Sequence, residues 1–473
     1  MSKIAGSAKE NADIFSRLIG PERNYDIIEK KMLIAGKESV FFMIDGFVKD
    51  EIMEKLMEAF LGLEEKDMPK DADKFADVVP YTEVETAGSY NDAASKLLMG
   101  MVCLFVDGYD RCIIMDCRSY PSRNVSEPWK NRVLRGSRDG FVETLANNVA
   151  LIRRRIRTPD FSVEMMHAGT MSNTDIAFAY IQGKADKKLL ENLKNRVRSI
   201  KVEALTMNIE SLAEVLLEGS YISPFPKFKY SERPDSAAAA IFDGNIVILV
   251  DNSPAVLIVP TSIFDVAEEA DDYYFPPLTG TYIKLSRYLI TIISLILTPL
   301  WVVFLNNPQM VPTWLRFTLI DNSECTVPVI LQLFILEFCI DGLRLAAVNT
   351  PNLLSTPLSV IAGIVVGEYA VSSGWFDPES MLYMAFVTVG TYTQASYELG
   401  YAVKFFRMIM LVLCWFAGMW GFAAGIVLFL VSMAMNRTLS GKSYIYPLIP
   451  FDKRMLARKL FRLRLGREKD HDN

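Results

Sequence analysis

This sequence predicts an α/β soluble N-terminal part with two subdomains, followed by an α-helical multi-pass transmembrane bundle, and two observations carry that prediction. The first is the distribution of charge. Of the 473 residues, those from Met1 to Arg287 hold 36 basic and 44 acidic side chains, whereas Tyr288 to Pro450 hold only 6 and 8. About 9% of that second stretch is charged against 22% of the whole chain, too little for a surface bathed in water. The second is the length of the apolar runs, short and bounded by turn residues in the first part, long in the second. A chain of this size also exceeds what one hydrophobic core usually serves.

Residues 1–24 are polar and mixed, and are expected to form a mobile leader. The first α/β subdomain is placed at 25–157. It opens with a buried strand in SVFFMIDG, Ser39 to Gly46, and a helical pattern from Asp50 through Phe60. Residues 64–80, rich in Lys and Asp, read as solvated. Met101 to Val106 and Arg111 to Cys117 read as a hairpin, because Asp107, Gly108, Tyr109 and Asp110 form a turn whose residues tolerate positive φ. Over residues 136–157, Phe141, Leu145, Ile152 and Ile156 fall on one helical stripe, with acids at the start and arginines at the end, as the helix dipole prefers. The second subdomain, 158–280, offers a strand at Ile176 to Ile181, helices near Ala185 to Ser199 and Ser211 to Glu218, and paired strands at Ile246 to Val250 and Ala255 to Val259 joined through DNSP.

The transmembrane domain is placed at 281–450, with apolar segments at 288–305, 326–348, 353–372, 380–397 and 405–435. A span needs about 20 residues to cross about 30 Å of hydrocarbon. Met408 to Met435 contains no charged residue and would be about 42 Å long as one helix, so it must tilt, protrude or break near Gly418, Gly421 and Gly425. The tail, 451–473, holds 8 basic and 4 acidic residues. No apolar run follows the first charges of MSKIAGSAKENADIF, so no signal peptide is expected and the soluble part should be cytoplasmic. The basic tail puts the other end on the same side, against lipid headgroups rather than nucleic acid. Two ends on one side require an even number of crossings, so one of the five segments is re-entrant or interfacial, with the charged 326–348 favoured, or the long last one is divided.

Catalytic chemistry has no visible anchor. His167 and His471 are the only histidines, and Cys103, Cys112, Cys117, Cys325, Cys339 and Cys414 show no CxxC spacing. There is no GxGxxG after a strand, no Walker loop and no GxSxG. No cofactor, metal, disulfide or enzymatic activity is expected.

Several strings in order carry a family resemblance: Ile44 to Gly46, YPSRNVSEP at Tyr120 to Pro128, RGSRDGFVETLANN at Arg135 to Asn148, LIRRRIR at Leu151 to Arg157, SERPD at Ser231 to Asp235 and VDNSPAVLIVP at Val250 to Pro260. DGLRLAAVNTP at Asp341 to Pro351 looks like a variant of an ExxREAGxRxP element, with Leu and Ala in place of its Glu and Gly. GKSYIYPLIPF at Gly441 to Phe451 looks like a closing GxPYxxPxxP element. The chain thus resembles the A subunits of the GerA family of spore germination proteins, and SYELG at Ser396 to Gly400 followed by Lys404 and Arg407 resembles the SpoVAF branch. The resemblance implies a spore inner-membrane protein that forms a ring of identical subunits, a pentamer, and passes ions during germination beside other germination membrane proteins. Nutrient-receptor members would work with B and C subunits. A secondary transporter would predict paired broken helices in two repeats, and no such repeat is seen.

Candidate ion-path residues fall in two places. Glu337, Asp341 and Arg344 are spaced by four and three and share one helical face. Charges at membrane depth cost at least about 2.5 kcal/mol each, so they face water or a partner. They read either as a cation path or as an interhelical polar clamp with Asp341 and Arg344 paired. The stretch 388–397, with Thr391, Thr393 and Gln394, reads either as hydroxyl pore lining or as small polar residues packing helices together. The RRRIR cluster, Arg153 to Arg157, reads as an anion site or as the partner of acids on a neighbouring domain.

Overall fold

The computed structural model describes residues 3–118, 136–217, 223–320, 325, 327–349 and 363–462. It divides into two compact units, the first made of Met1–Gly219 with Phe228–Pro260, the second of Ser220–Lys227 with Thr261–Asn473. The YPSRNVSEP string, the first half of the segment at 353–372 and the last eleven residues of the tail lie outside the described residues.

In the first unit, α1 (Ala8–Ile19) precedes β1 (Ile27–Ile34), β2 (Lys37–Ile44), α2 (Asp50–Leu61), α3 (Ala72–Val78), β3 (Val84–Ala87), α4 (Tyr90–Leu98), β4 (Val102–Val106) and β5 (Cys112–Met115). The strands form one antiparallel sheet in the order β1-β2-β4-β5-β3. Helices cover both faces. Phe42, Cys103 and Phe105 meet Phe15 of α1 and Leu97 of α4, while their neighbours Phe41, Leu104 and Val106 meet Leu56 and Phe60 of α2 and Phe75 of α3. With both faces buried, β4, β5 and most of β2 carry no polar alternation, which is why they read as unbroken apolar runs.

The mobile leader expected over 1–24 is instead helix α1. Ser7 caps it by accepting from the Glu10 amide, and Ile4, Ala8, Ala12, Phe15 and Ile19 form a buried stripe. Its polar average concealed that stripe. The stretch 64–80 is likewise not wholly solvated, since Ala72 and Phe75 enter the core.

A second antiparallel sheet, in the order β6-β7-β9-β10-β8, is built from β6 (Phe161–Ala168), β7 (Thr174–Ile181), β8 (Lys229–Ser231), β9 (Ile246–Val250) and β10 (Val256–Val259). Helices α5 (Leu145–Arg153) and α8 (Pro234–Phe242) pack on one face, and α6 (Lys187–Arg198) with α7 (Ile209–Leu216) complete the unit. The helix expected over 136–157 is shorter than its stripe. Asn148 bonds the Val142 carbonyl and accepts from its amide at 2.8 Å, which holds the preceding chain extended, yet Phe141, Leu145, Ile152 and Ile156 all remain in one core. Arg153 joins the two sheets. Its guanidinium binds Asp26, donates to Asn24 at 3.3 Å and lies 4.7 Å from the centre of the Phe161 ring, with no exposed surface. Arg155 pairs with Asp139, so two members of the RRRIR cluster meet acids within this unit.

The second unit holds α9 (Ile263–Val266), α10 (Asp271–Tyr274), α11 (Pro277–Asn306), α12 (Val329–Asn349), α13 (Pro378–Tyr392), α14 (Tyr397–Met435) and α15 (Lys453–Leu460), with a π-helical turn at Gly363–Tyr369. Among the described residues, α11 and α14 are the helices long and apolar enough to cross a membrane. Helix α12 is continuous over Val329–Asn349, and α14 breaks within the glycine-containing stretch where a break is one of the expected outcomes, at Gly418 with φ 54° and ψ −128°. There the chain folds back on itself. The rings of Phe406 and Phe429 are 5.2 Å apart, whereas 23 helical residues would separate them by about 35 Å. Side chains at Gly421 and Gly425 would strike Leu413 and Met410 across the hairpin. Glycine at these positions permits the close approach of its two arms.

Candidate functional site

Helix α12 presents Glu337, Asp341 and Arg344 to the first arm of α14, which presents Arg407, Lys404, Tyr401 and Tyr397 in return. The helices run antiparallel, so the contacts pair in reverse order. Arg407 binds Glu337, with its Nε donating at 2.9 Å, and its Nη1 donates to the Ser294 carbonyl of α11 at 3.0 Å. Lys404 lies 3.2 Å from the second oxygen of Glu337 and also binds Asp341. Arg344 rests against three rings, with its guanidinium carbon 4.9, 5.3 and 5.5 Å from the centres of Tyr392, Tyr397 and Tyr401.

Glu337 and Arg407 are buried to 3% and 1% exposure. Taking two charges out of water is repaid only when they meet closely and their remaining hydrogen bonds are filled, and here each oxygen of Glu337 has its own cation. The five charged groups comprise three cations and two carboxylates, and among the described residues the cation that meets ring faces rather than a carboxylate is Arg344. A cavity of about 20 Å³ among Asp341, Arg344, Thr391 and Lys404 has room for roughly one water molecule.

The structure therefore brings Glu337, Asp341, Arg344 and Thr391 together, but not in the pairing expected within α12. Asp341 turns to Lys404, and Arg344 turns to tyrosines. Thr393 and Gln394 lie apart from this cavity. The hydroxyls of Thr391 and Thr393 donate to carbonyls of their own helix, to Val387 at 2.9 Å and Gly390 at 2.8 Å, and Gln394 accepts from Thr291 of α11 at 2.9 Å. Lys404 and Arg407 are the partners that sequence reasoning missed. Their signal was visible: two cations three residues apart at the edge of a 28-residue uncharged run require carboxylates somewhere within the same apolar unit.

A second ionic set lies at the start of α11. Lys284 binds Glu268 at 2.6 Å, Arg287 binds Asp272 at 2.8 Å and Glu269 at 2.7 Å, and Lys459 of α15 binds Asp265. One cation of the basic tail thus meets protein acids rather than lipid.

One unit of two antiparallel sheets and another whose apolar helices are joined by buried ion pairs define a class: a membrane-associated protein with a large folded α/β part. A family model described as Bacillus/Clostridium GerA spore germination protein matches residues 14–473, and the chain belongs to that family. It is similar to Stage V sporulation protein AF of Bacillus subtilis (strain 168), with 34% identity over 97% of this chain and 93% of that one. Spore germination proteins KA and A1 of the same organism are 30% and 28% identical, over 81% and 90% of this chain and 71% and 88% of theirs. A crystal structure of the N-terminal domain of the A subunit of the Bacillus megaterium spore germinant receptor GerK3 covers 55% of this chain and 96% of that chain at 26% identity, with a TM-score of 0.43. The chain is a germination-related membrane protein.

Proposed function

We propose that this protein is a subunit of an oligomeric ion channel of the spore inner membrane that amplifies ion release during germination, and that it is not an enzyme. The observation that carries the reading is the buried cluster of five charges among apolar helices, on a chain similar to Stage V sporulation protein AF over almost its whole length. The cluster works as the clamp that fixes α11, α12 and α14 to one another, and conduction runs between copies of the bundle rather than through it.

The arrangement of helix ends supports an even number of passes. The middle of α11 meets the turn before α14, through Thr291 and Gln394, and its last turns meet the start of α12, through Trp301, Leu333 and Leu336. Asp377, at the start of α13, accepts from Gln332 near the start of α12 at 2.8 Å, so α12 and α13 begin at the same end of the bundle. The two arms of α14 run in opposite directions and the chain after them returns beside the start of α11, where Lys459 binds Asp265, an even number of passes with both ends of the helical unit on one side, taken as the cytoplasmic one.

The test is reconstitution of the full chain in vesicles, with flux of potassium and chloride and the mass of the assembly as readouts. A ring with measurable flux is expected. Glu337→Gln and Asp341→Asn should weaken assembly stability while leaving the cation-to-anion preference unchanged; a changed preference with an intact ring would make these residues pore lining. A monomer without flux would overturn the channel reading. A reading as a receptor A subunit is favoured by the similarity to spore germination proteins KA and A1, and predicts flux only with B and C subunits and a germinant.

A further inference from the structure

One end of the helical unit, where α11 finishes, α12 and α13 start and α14 turns back, is sheathed in exposed aromatic side chains. Trp301, Ile320, Phe376, Leu411, Cys414 and Phe422 share one core there, which sets three turns side by side: residues 308–318, the turn before α13, and the hairpin tip at Gly418. Each turn projects a tryptophan outward, Trp314 with 74% of its surface exposed, Trp375 with 58% and Trp420 with 84%, and Phe317 and Phe416 flank them at 73% and 81%. With Trp301 and Trp415, five of the six tryptophans of the chain lie at this end. The turn at 308–318 is firmly seated, since the Trp301 indole donates to the Thr318 carbonyl at 3.0 Å and Val311 and Thr318 are buried.

We propose that this aromatic collar is a lipid-contact surface lying in the headgroup boundary of the bilayer, and that the Gly418 hairpin stops there instead of emerging into water. The proposal rests on the membrane reading given above. The tip, Trp415 to Gly421, has no side chain that water would solvate well, and Arg316 is the single charged residue between Asn307 and Ile320. A tryptophan has an apolar body and one N–H, which suits the boundary between acyl chains and headgroups, and a lone arginine among such rings suits phosphate. Three separate turns contribute the exposed rings, all at the same end of the bundle. The spacing agrees with a bilayer. The arm from Tyr397 to the break is about 31 Å long, close to the hydrocarbon thickness of about 30 Å, and its other end carries Arg344 with Tyr392, Tyr397 and Tyr401, a second aromatic belt.

The test compares the full chain with Trp420→Phe and Trp314→Phe variants in nanodiscs of phosphatidylcholine brominated near the headgroup or near the chain ends, and in unbrominated nanodiscs with aqueous iodide. The emission contributed by either tryptophan is expected to be quenched roughly twofold more by the shallow bromines than by the deep ones, and little by iodide. Strong iodide quenching with none from bromine would put the collar in water, and quenching by neither would mean a covering protein; both overturn the proposal. A chain that fails to float with vesicles would instead overturn the membrane reading itself.

Discussion

Arg153 and Arg407 are both buried arginines bound to a carboxylate, one in each unit, and they hold different things together. Arg153 sits where two sheets meet, each with its own core of phenylalanine, isoleucine and valine. Water drives those cores together, so the Arg153–Asp26 pair orients a joint that hydrophobic burial already supplies. Arg407 sits among helices whose outer surfaces carry Phe416, Trp420 and Leu430 in the open. Apolar helices gain little hydrophobic free energy by leaving lipid for each other, so close packing and polar contacts supply the association. The same ion pair is therefore an alignment device in one unit and a principal fastening in the other.

The largest effect is expected from Arg407→Met, which leaves Glu337 with Lys404 alone and should cost about 3–5 kcal/mol of stability, read by denaturation of the full chain in detergent. Adding Glu337→Leu should recover only part of that loss. Full recovery would show that packing, not the polar contact, holds the helices.

Arg153→Met should cost about 3 kcal/mol, the lower end of the same range, because it strands one buried carboxylate, Asp26, at a joint that the two apolar cores already hold. Here the double change with Asp26→Leu is expected to restore wild-type stability or exceed it. If the two double variants behave alike, the contrast between the units fails. Thermal melts of the four variants decide it.

Gly421→Ala places a methyl against Leu413 across the α14 hairpin and should cost about 1–3 kcal/mol, whereas Gly342→Ala on α12, where no atom lies within 4 Å of the new carbon, should change stability by less than about 0.5 kcal/mol. Equal effects would mean that the arms of α14 do not touch.

The smallest effect concerns Asp116, whose carboxyl the Arg118 guanidinium holds below the usual carboxylate range. A lowered value in the folded state contributes stability that is present above the unfolded value, about 3.9, and is lost as pH falls through the lowered one. Asp116→Asn should flatten the acid limb of the stability curve by less than about 1 kcal/mol, the range for a partly exposed pair, in urea titrations between about pH 5 and pH 2.

The parts legible from the sequence were those with local causes. The hairpin of β4 and β5 followed from its turn, with Gly108 at φ 90°, and β7, β9, α2, α6 and the β10 partner of β9 followed from their periods. Glu337, Asp341 and Arg344 were marked as interacting by their spacing on one face. Helix α1 was legible in principle, through Ser7, Glu10 and its stripe, and was hidden by averaging polarity over 24 residues.

The sequence by itself determined which stretches are apolar, where charge enters them and which family the chain resembles, because composition, spacing and motif order are properties of neighbours along the chain. Only the tertiary structure decided that Asp341 meets Lys404 instead of Arg344, that Arg153 meets Asp26 127 residues away, and that the uncharged run after Met408 is two arms rather than one rod. Those outcomes turn on which distant surfaces approach each other. A carboxylate within an apolar unit binds the cation that packing brings nearest, and three residues of separation along a helix do not by themselves outweigh a cation presented from across the interface.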